Sequence, residues 1–362
     1  MNLLLFIGGL VLLVLGANAL VRGASKLALS FGISPLVVGL TIVAFGTSAP
    51  EMAVSVGAVM DGKMDLAVGN VVGSNIFNVL FILGVSALIV PLVVHVQLIR
   101  QEVPIMIGAG LLLAVMSLDG GISLFDGVLL CSLLIAYTVF LIVQSRRESA
   151  GAASEFEAEL QPAAQGSWDK HWLVQVALIA VGLAALVLGS GWMVTAAVSF
   201  AKALGVSDLV IGLTIVAAGT SLPEVAASLT AAFKGERDIA VGNVVGSNTF
   251  NILGVVGLSS VTASSMGGTL PIAPALLSFD LWVMLAVSLA CLPVFISGCE
   301  IARWEGGLFL GGYAAYVAYL IMAAQQHAAL PTFSSAMLSF VAPILIVTLI
   351  VTLFMRRKGQ DG

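Results

Sequence analysis

The sequence predicts an all-α, polytopic membrane protein: an inverted repeat of two five-helix units, a ten-span core, with one extra C-terminal transmembrane helix. Three observations predict it. The chain of 362 residues is 60% hydrophobic and 9% charged, with a mean hydropathy of +1.13, whereas a soluble domain is nearer a quarter charged. Its apolar runs recur at the roughly 20-residue length that crosses a bilayer. A long stretch of the first half returns in the second at a constant offset, which marks a duplicated architecture.

The expected spans fall at 3–21, 37–60, 66–90, 103–118, 123–143, 172–194, 209–233, 239–262, 274–297, 305–324 and 334–355. The N-terminal run has no basic residue before Arg22, so it reads as a retained first helix and not as a cleaved signal. With the N-terminus outside, Arg22, Lys26, Arg100, Arg146, Arg147, Lys170, Lys234, Arg237, Arg303, Arg356, Arg357 and Lys358 fall inside, and only Lys63 and Lys202 outside. That distribution satisfies the positive-inside rule and places the C-terminus in the cytoplasm. Residues 144–171, rich in Ala, Ser, Gly and Glu, read as a flexible cytoplasmic linker. The expected organisation is therefore a first repeat at 1–143, the linker at 144–171, a second repeat at 172–325, and an extra span with a basic tail at 326–362. Cys131, Cys291 and Cys299 have no metal-ligand or redox spacing, and cysteines in apolar runs behave as small hydrophobes. No basic patch points to nucleic acid, and the sequence implies no obligate protein partner.

The repeat is explicit. GLTIVAFGTSAPEMAVS at 39 returns as GLTIVAAGTSLPEVAAS at 212, and LAVGNVVGSNIFNVL at 66 as IAVGNVVGSNTFNIL at 239. Across 39–84 and 212–257, 29 of 46 positions are identical without a gap. Five spans per unit is an odd number, so the second copy enters the membrane from the opposite side. Secondary transporters use such repeats and bind substrate near the midplane between the copies.

The matched residues in mid-span are polar. Pro50 and Pro223 break their helices, with Gly46 and Gly219 just before them. Backbone carbonyls released in lipid need protein, water or an ion as partner. Thr47, Ser48, Thr220 and Ser221 add hydroxyls, and Glu51 and Glu224 add carboxylates. An ionised carboxylate at mid-bilayer costs at least about 2.5 kcal/mol, and two brought together also repel; a bound cation removes both penalties. The set consists of hard oxygen ligands, which suit Ca²⁺ and Na⁺, a hard cation of similar size. In GNVVGSNIFN and GNVVGSNTFN, Asn70, Ser74 and Asn78, and likewise Asn243, Ser247 and Asn251, form one helical stripe. Ser74, Asn78, Ser247 and Asn251 are the members expected to face the cation; Asn70, Asn75, Asn243 and Asn248 are expected to be structural. Gly69 and Gly73 allow close helix approach. Asp65 and Asp238 suit helix N-termini, Asp61 and Glu236 are expected in solvated loops, and Glu102, Asp280 and Glu300 at the membrane interface.

With both motifs in duplicate, the chain resembles the cation/calcium exchanger family, and most closely its prokaryotic sodium/calcium antiporter branch. The resemblance covers about residues 1–325. It implies that Glu51 and Glu224 bind Ca²⁺ and also serve Na⁺. It implies that Thr47 and Thr220 contribute backbone carbonyls to the calcium site, and that Na⁺ is held by Ser48, Ser221, Ser74, Ser247 and the carbonyls of Ala44 and Ala217. Asn78 and Asn251 would line the centre, and the first and sixth spans would slide as gates. Relatives that depend on potassium carry an aspartate where this chain has Asn251, so the resemblance argues against potassium dependence.

The function these readings imply is Ca²⁺/Na⁺ antiport by alternating access in a bacterial inner membrane. The transported ions are Ca²⁺ and Na⁺, and no cofactor is expected. A calcium/proton exchanger is the alternative, separated by its driving ion; a cation channel is a further one, separated by flux without a counter-ion. There is no nucleophile–base constellation and no phosphate-binding GxxxxGK[ST] loop, which argues against an enzyme.

Overall fold

The computed structural model describes residues 2–156, 171–204 and 217–341. Two long helices, α1 (Asn2–Phe31) and α7 (Trp172–Ala203), lie side by side. At about 1.5 Å per residue, their 30 and 32 residues outrun the roughly 30 Å hydrocarbon core. Both are longer than the apolar runs at 3–21 and 172–194 suggest, and are long enough to cross at a tilt. They are antiparallel: a Cβ at Gly9 would meet the Gly189 carbonyl at 2.7 Å, and one at Gly16 the Gly182 carbonyl at 2.8 Å. Since Gly182 and Gly189 are the repeat counterparts of Gly9 and Gly16, these contacts are exchanged by the internal symmetry. Only glycine permits backbones this close.

The second span is broken. Helix α2 (Pro35–Thr47) and helix α3 (Ala49–Met60) meet at Ser48 with a bend of 42°. Ser48 takes φ −82°, ψ 5°, in the sparsely populated bridge region. The second repeat copies this with α8 (Ala217–Thr220), Ser221 at φ −88°, ψ 7°, and α9 (Leu222–Phe233). In each, proline occupies the first turn of the following helix, where its missing N–H costs least.

Helices α4 (Asp65–Ile89) and α10 (Arg237–Ser265) form the centre. Around them stand α5 (Leu98–Asp119), α6 (Leu124–Phe156), α11 (Leu276–Ile296) and α12 (Arg303–Ala324). The last helix of each repeat crosses to the other repeat. Gly127 of α6 packs on Gly257 and Ser260 of α10, and Gly306 of α12 on Gly84 and Ala87 of α4. Two short antiparallel ladders tie the ends: β1 (Leu92–Val93) pairs with β4 (Glu300–Ile301), and β2 (Gly121–Ile122) with β3 (Leu270–Pro271). Each ladder joins one strand from each repeat.

Eight described helices are long and apolar enough to cross a bilayer, and the bent pair α2–α3 makes a ninth. The expected span at 209–233 is seen from Ala217 on; its first residues lie outside the described residues. So do 157–170 of the expected linker and most of the expected eleventh span with its basic tail, of which α13 (Leu330–Ala336) and a π-helical turn at Met337–Val341 are described. Helix α6 runs on to Phe156, into the stretch read as a flexible linker, because Arg, Glu and Ala there are good helix formers. Two further readings are corrected. Glu102, expected at the interface, is fully buried, because Gln97, Gln101 and Tyr137 supply its hydrogen bonds. Glu236, expected to be solvated, is half-buried and accepts the Ser25 hydroxyl of α1 at 2.6 Å.

Candidate cation-binding site

The twofold axis can be located from hydrogen bonds. Asn75 Nδ2 donates to the Asn248 carbonyl and Asn248 Nδ2 to the Asn75 carbonyl, each at 3.2 Å. Asn248 is the repeat counterpart of Asn75. A residue that exchanges identical contacts with its own counterpart stands at the symmetry axis, here between α4 and α10. For an inverted repeat that axis lies in the membrane plane.

The breaks in the two crossed spans converge on this point. Ser221 Oγ donates to Glu51 Oε1 at 2.8 Å, and Ser48 Oγ to Glu224 Oε1 at 3.0 Å. Each carboxylate is thus held by the serine of the other repeat's GTSxPE motif. Thr47 Oγ1 donates to Asn243 Oδ1 at 3.1 Å, and Thr220 Oγ1 to Asn70 Oδ1 at 3.5 Å. Asn70 donates to the Glu51 carbonyl at 3.3 Å and to Ser55 at 3.0 Å; Asn243 donates to the Glu224 carbonyl at 3.5 Å and to Ser228 at 2.9 Å. Asn78 Nδ2 is bound by Asn248 Oδ1 and Asn251 Nδ2 by Asn75 Oδ1, at 3.0 and 3.1 Å. The four residues Asn70, Asn75, Asn243 and Asn248 therefore fix the helices and orient their neighbours.

What remains is a set of acceptors. Glu51, Glu224, Thr47, Ser48, Ser221, Ser74, Asn78, Ser247 and Asn251 are all buried. Glu51 Oε2, Glu224 Oε2, Asn78 Oδ1, Asn251 Oδ1 and Ser247 Oγ make no hydrogen bond. The first four are two symmetry-related pairs. Buried polar atoms are nearly always satisfied, and an unsatisfied carboxylate oxygen is among the costliest exceptions. The Ser221 and Ser74 hydroxyls lie 3.2 Å apart. A π-helical turn begins at each of the two asparagines, Asn78–Leu83 and Asn251–Val256; such turns disturb the regular hydrogen-bond ladder and recur at functional sites. The Ala44 carbonyl accepts the Ser48 N–H at 3.0 Å, so it keeps its helical partner: the missing N–H of Pro50 bears on Gly46, four residues earlier. Ala217 opens the short helix before Ser221. Among the described residues no group of three or more His, Cys, Asp or Glu could hold a metal ion; the oxygens gathered here are two carboxylates with hydroxyls and amides.

The surroundings are not symmetric. A cavity of about 320 Å³ reaches the Glu51 side, lined by Asp65, Leu66, Gly69, Asn70, Gly73, Thr220, Asp280 and Tyr316 among others. On the Glu224 side α2 lies against α10: a Cβ at Gly242 would come within 3.0 Å of the Leu36 carbonyl, and one at Gly246 within 2.6 Å of the Leu40 carbonyl. Among the described residues nothing lies within 4 Å of a Cβ at Gly69 or Gly73; the repeat counterparts of Leu36 and Leu40, at 209 and 213, lie outside the described residues.

The family model described as sodium/calcium exchanger protein matches residues 1–143 and 174–322. The chain belongs to the sodium/calcium exchanger family. It is 40% identical over 313 residues to the putative antiporter CaxA of Alkalimonas amylolytica, covering 85% of this chain and 95% of that protein. It is 33% identical over 352 residues to the sodium/calcium exchanger MaX1 of Methanosarcina acetivorans, covering 88% and 98%. The solved structure of the sodium-calcium exchanger NCX_Mj soaked with Na⁺ and Ca²⁺ superimposes with a TM-score of 0.73 at 32% identity, covering 88% of this chain and 97% of that one. This exchanger-family chain is thus a polytopic, inverted-repeat membrane protein.

The sequence placed both motifs at one site but missed two further acids with tyrosine partners. Tyr137 Oη donates to Glu102 Oε2 at 2.6 Å, and Tyr316 Oη to Asp280 Oδ1 at 2.9 Å. The signal was an acid followed by a tyrosine 35 or 36 residues later in the next span. It is hidden by the loss of the constant repeat offset beyond residue 257.

Proposed function

We propose that this protein exchanges Ca²⁺ for Na⁺ across a bacterial inner membrane, without a requirement for potassium, by alternating exposure of the Glu51–Glu224 site. The observation that carries this reading is the symmetric set of buried acceptor oxygens without hydrogen bonds: Glu51 Oε2, Glu224 Oε2, Asn78 Oδ1 and Asn251 Oδ1. One Ca²⁺ neutralises two carboxylates and takes hard oxygens at roughly 2.3–2.6 Å. Na⁺ uses overlapping oxygens, with the Ser48, Ser221, Ser74 and Ser247 hydroxyls and the Ala44 and Ala217 carbonyls beside the carboxylates, while Thr47 and Thr220 serve Ca²⁺ through their carbonyls. Because both ions draw on the same carboxylates, they bind in turn. A site stripped of cations leaves two charges in a dry interior, which resists occlusion; only loaded sites then cross readily, and the result is antiport. The basic residues put the N-terminus outside and the C-terminus in the cytoplasm, so the cavity beside Asp65 faces outside and the packed side faces the cytoplasm.

The test is Ca²⁺ movement into proteoliposomes at clamped membrane potential. Uptake driven by an outward Na⁺ gradient, independent of K⁺ and abolished by Glu51→Gln, is the expected result. Uptake driven by a pH gradient alone would mean that protons take the place of Na⁺. Flux without any counter-ion would mean a channel.

A further inference from the structure

Helices α1 and α7 match each other by symmetry, but as a pair they sit off-centre on the core. A Cβ at Gly46 would meet Leu183 first, and one at Gly219 would meet Val194. Both side chains belong to α7, so α7 crosses both broken spans. Helix α1 lies instead along α9, and α7 has no comparable contact with α3. All four of these helices are described along their whole length.

The repeat fixes the form of the inverted arrangement. Leu10 and Val21 are the counterparts of Leu183 and Val194. With the two copies exchanged, α1 crosses both breaks, Val21 at Gly46 and Leu10 at Gly219, and α7 lies along α3. Gly9 lies opposite Gly189, so Leu10 lies opposite Leu188 and Val21 opposite Ala177. Val194 is six residues beyond Leu188, and Leu183 six beyond Ala177. Both breaks therefore require the same displacement of the α1–α7 pair, about 9 Å along its axis.

Two hydrogen bonds tie α1 where it lies. The Ser25 hydroxyl donates to Glu236 Oε1 at 2.6 Å, and Lys234 Nζ donates to the Asn18 carbonyl at 3.2 Å. Lys234 and Glu236 belong to the short link between α9 and α10. Asn18 and Lys234 also border the groove between α1 and α9, with Leu10, Val14, Ala226 and Thr230 along it. A displacement of six residues separates both pairs. The inverted arrangement offers no replacement. The counterparts of Ser25 and Glu236 are Val198 and Lys63, and those of Asn18 and Lys234 are Gly191 and Asp61. Valine has no hydroxyl, and an ionised aspartate has no proton to give a carbonyl.

We propose that Ser25 and Lys234, with Glu236 and the Asn18 carbonyl, form a one-sided latch that favours the arrangement described here over its inverted counterpart. These are positioning residues: they act on the site through α1. A hydrogen bond that involves a charged group at a half-buried position shifts such an equilibrium about tenfold. Each face binds its ion in proportion to the population of the arrangement that serves it. The latch therefore makes the apparent affinities of the two faces unequal. This inference rests on the exchange reading above.

The test reads the arrangement directly. In the full chain with Cys131, Cys291 and Cys299 replaced, spin labels are placed at Leu4→Cys and Val96→Cys, both exposed positions. Pulsed electron resonance then measures the distance between the N-terminal end of α1 and the core. The inverted arrangement lengthens it by up to about 9 Å. Ser25→Ala is expected to raise the ratio of long to short distances about tenfold, and Lys234→Met by a smaller factor. Ser25→Thr, which keeps the hydroxyl, is expected to leave the ratio unchanged. Grafting the contact onto the other copy, Val198→Ser with Lys63→Glu, is expected to raise the same ratio. In proteoliposomes sorted by orientation, Ser25→Ala is expected to raise KM for Ca²⁺ at one face and lower it at the other. Unchanged distances in Ser25→Ala, or KM changes of the same sign at both faces, would overturn the latch while exchange by the unmodified protein stands. Absence of exchange by the unmodified protein would overturn the exchange reading itself, and the distances would still decide the latch.

Discussion

Helices α4 and α10 carry almost the same ten residues, GNVVGSNIFN and GNVVGSNTFN, in opposite surroundings. On α10, Gly242 and Gly246 lie against the backbone of α2, whereas on α4 no described residue comes within 4 Å of a Cβ at Gly69 or Gly73. Leu66 is 59% exposed, and its counterpart Ile239 is 1% exposed. Asn70 borders a cavity while Asn243 is fully buried. Nearly identical sequence thus meets different described neighbours: the packing of α2 against glycine closes the α10 side, and the residues equivalent to that part of α2 in the second repeat lie outside the described residues. Interfaces of this kind are bistable and switch between discrete arrangements.

The largest expected effect tests whether the centre is as symmetric as its hydrogen bonds. Glu51→Gln and Glu224→Gln should each reduce exchange by about 100-fold or more, since losing one member of a buried charged set costs about 3 kcal/mol or more. Initial rates in proteoliposomes check this, and a variant that keeps half its rate would break the comparison at its centre. Next is accessibility. With the three native cysteines replaced, Leu66→Cys should react with a membrane-impermeant thiol reagent at least about tenfold faster than Ile239→Cys, as their exposures require. Equal rates would mean that the two faces interconvert freely.

A smaller effect sharpens the role of the glycines. Gly246→Ala pushes a methyl group into the Leu40 backbone and should destabilise this conformation by about 1–3 kcal/mol, whereas Gly73→Ala should leave its stability unchanged. Thermal unfolding in detergent reads the first, and increased labelling of Ile239→Cys in the Gly246→Ala background shows that the packed face has loosened. The smallest expected effect lies on the axis. Asn75→Ala and Asn248→Ala should cost the same, about 1 kcal/mol each. A clear difference between them in unfolding midpoint would displace the axis from this pair.

Much of the fold was legible because the membrane enforces simple rules. Span length follows from the thickness of the hydrocarbon core, and the repeat from a constant offset along the chain. The motif residues were legible because polar groups in mid-span need a reason. Glu102 and Glu236 were misread for the opposite cause: their position near span ends suggests water, whereas Tyr137 joins Gln97 and Gln101 around Glu102 and Ser25 of α1 leaves Glu236 half-buried.

By itself the sequence determined that two GTSxPE breaks and two asparagine–serine stripes exist in inverted copies, since periodicity and a fixed offset are properties of the chain alone. Tertiary structure decided which serine holds which glutamate, that Asn75 and Asn248 meet on the axis, and that α2 packs into the glycines of α10. The reason is physical: these contacts join residues 170–176 positions apart, so no local preference along the chain specifies them.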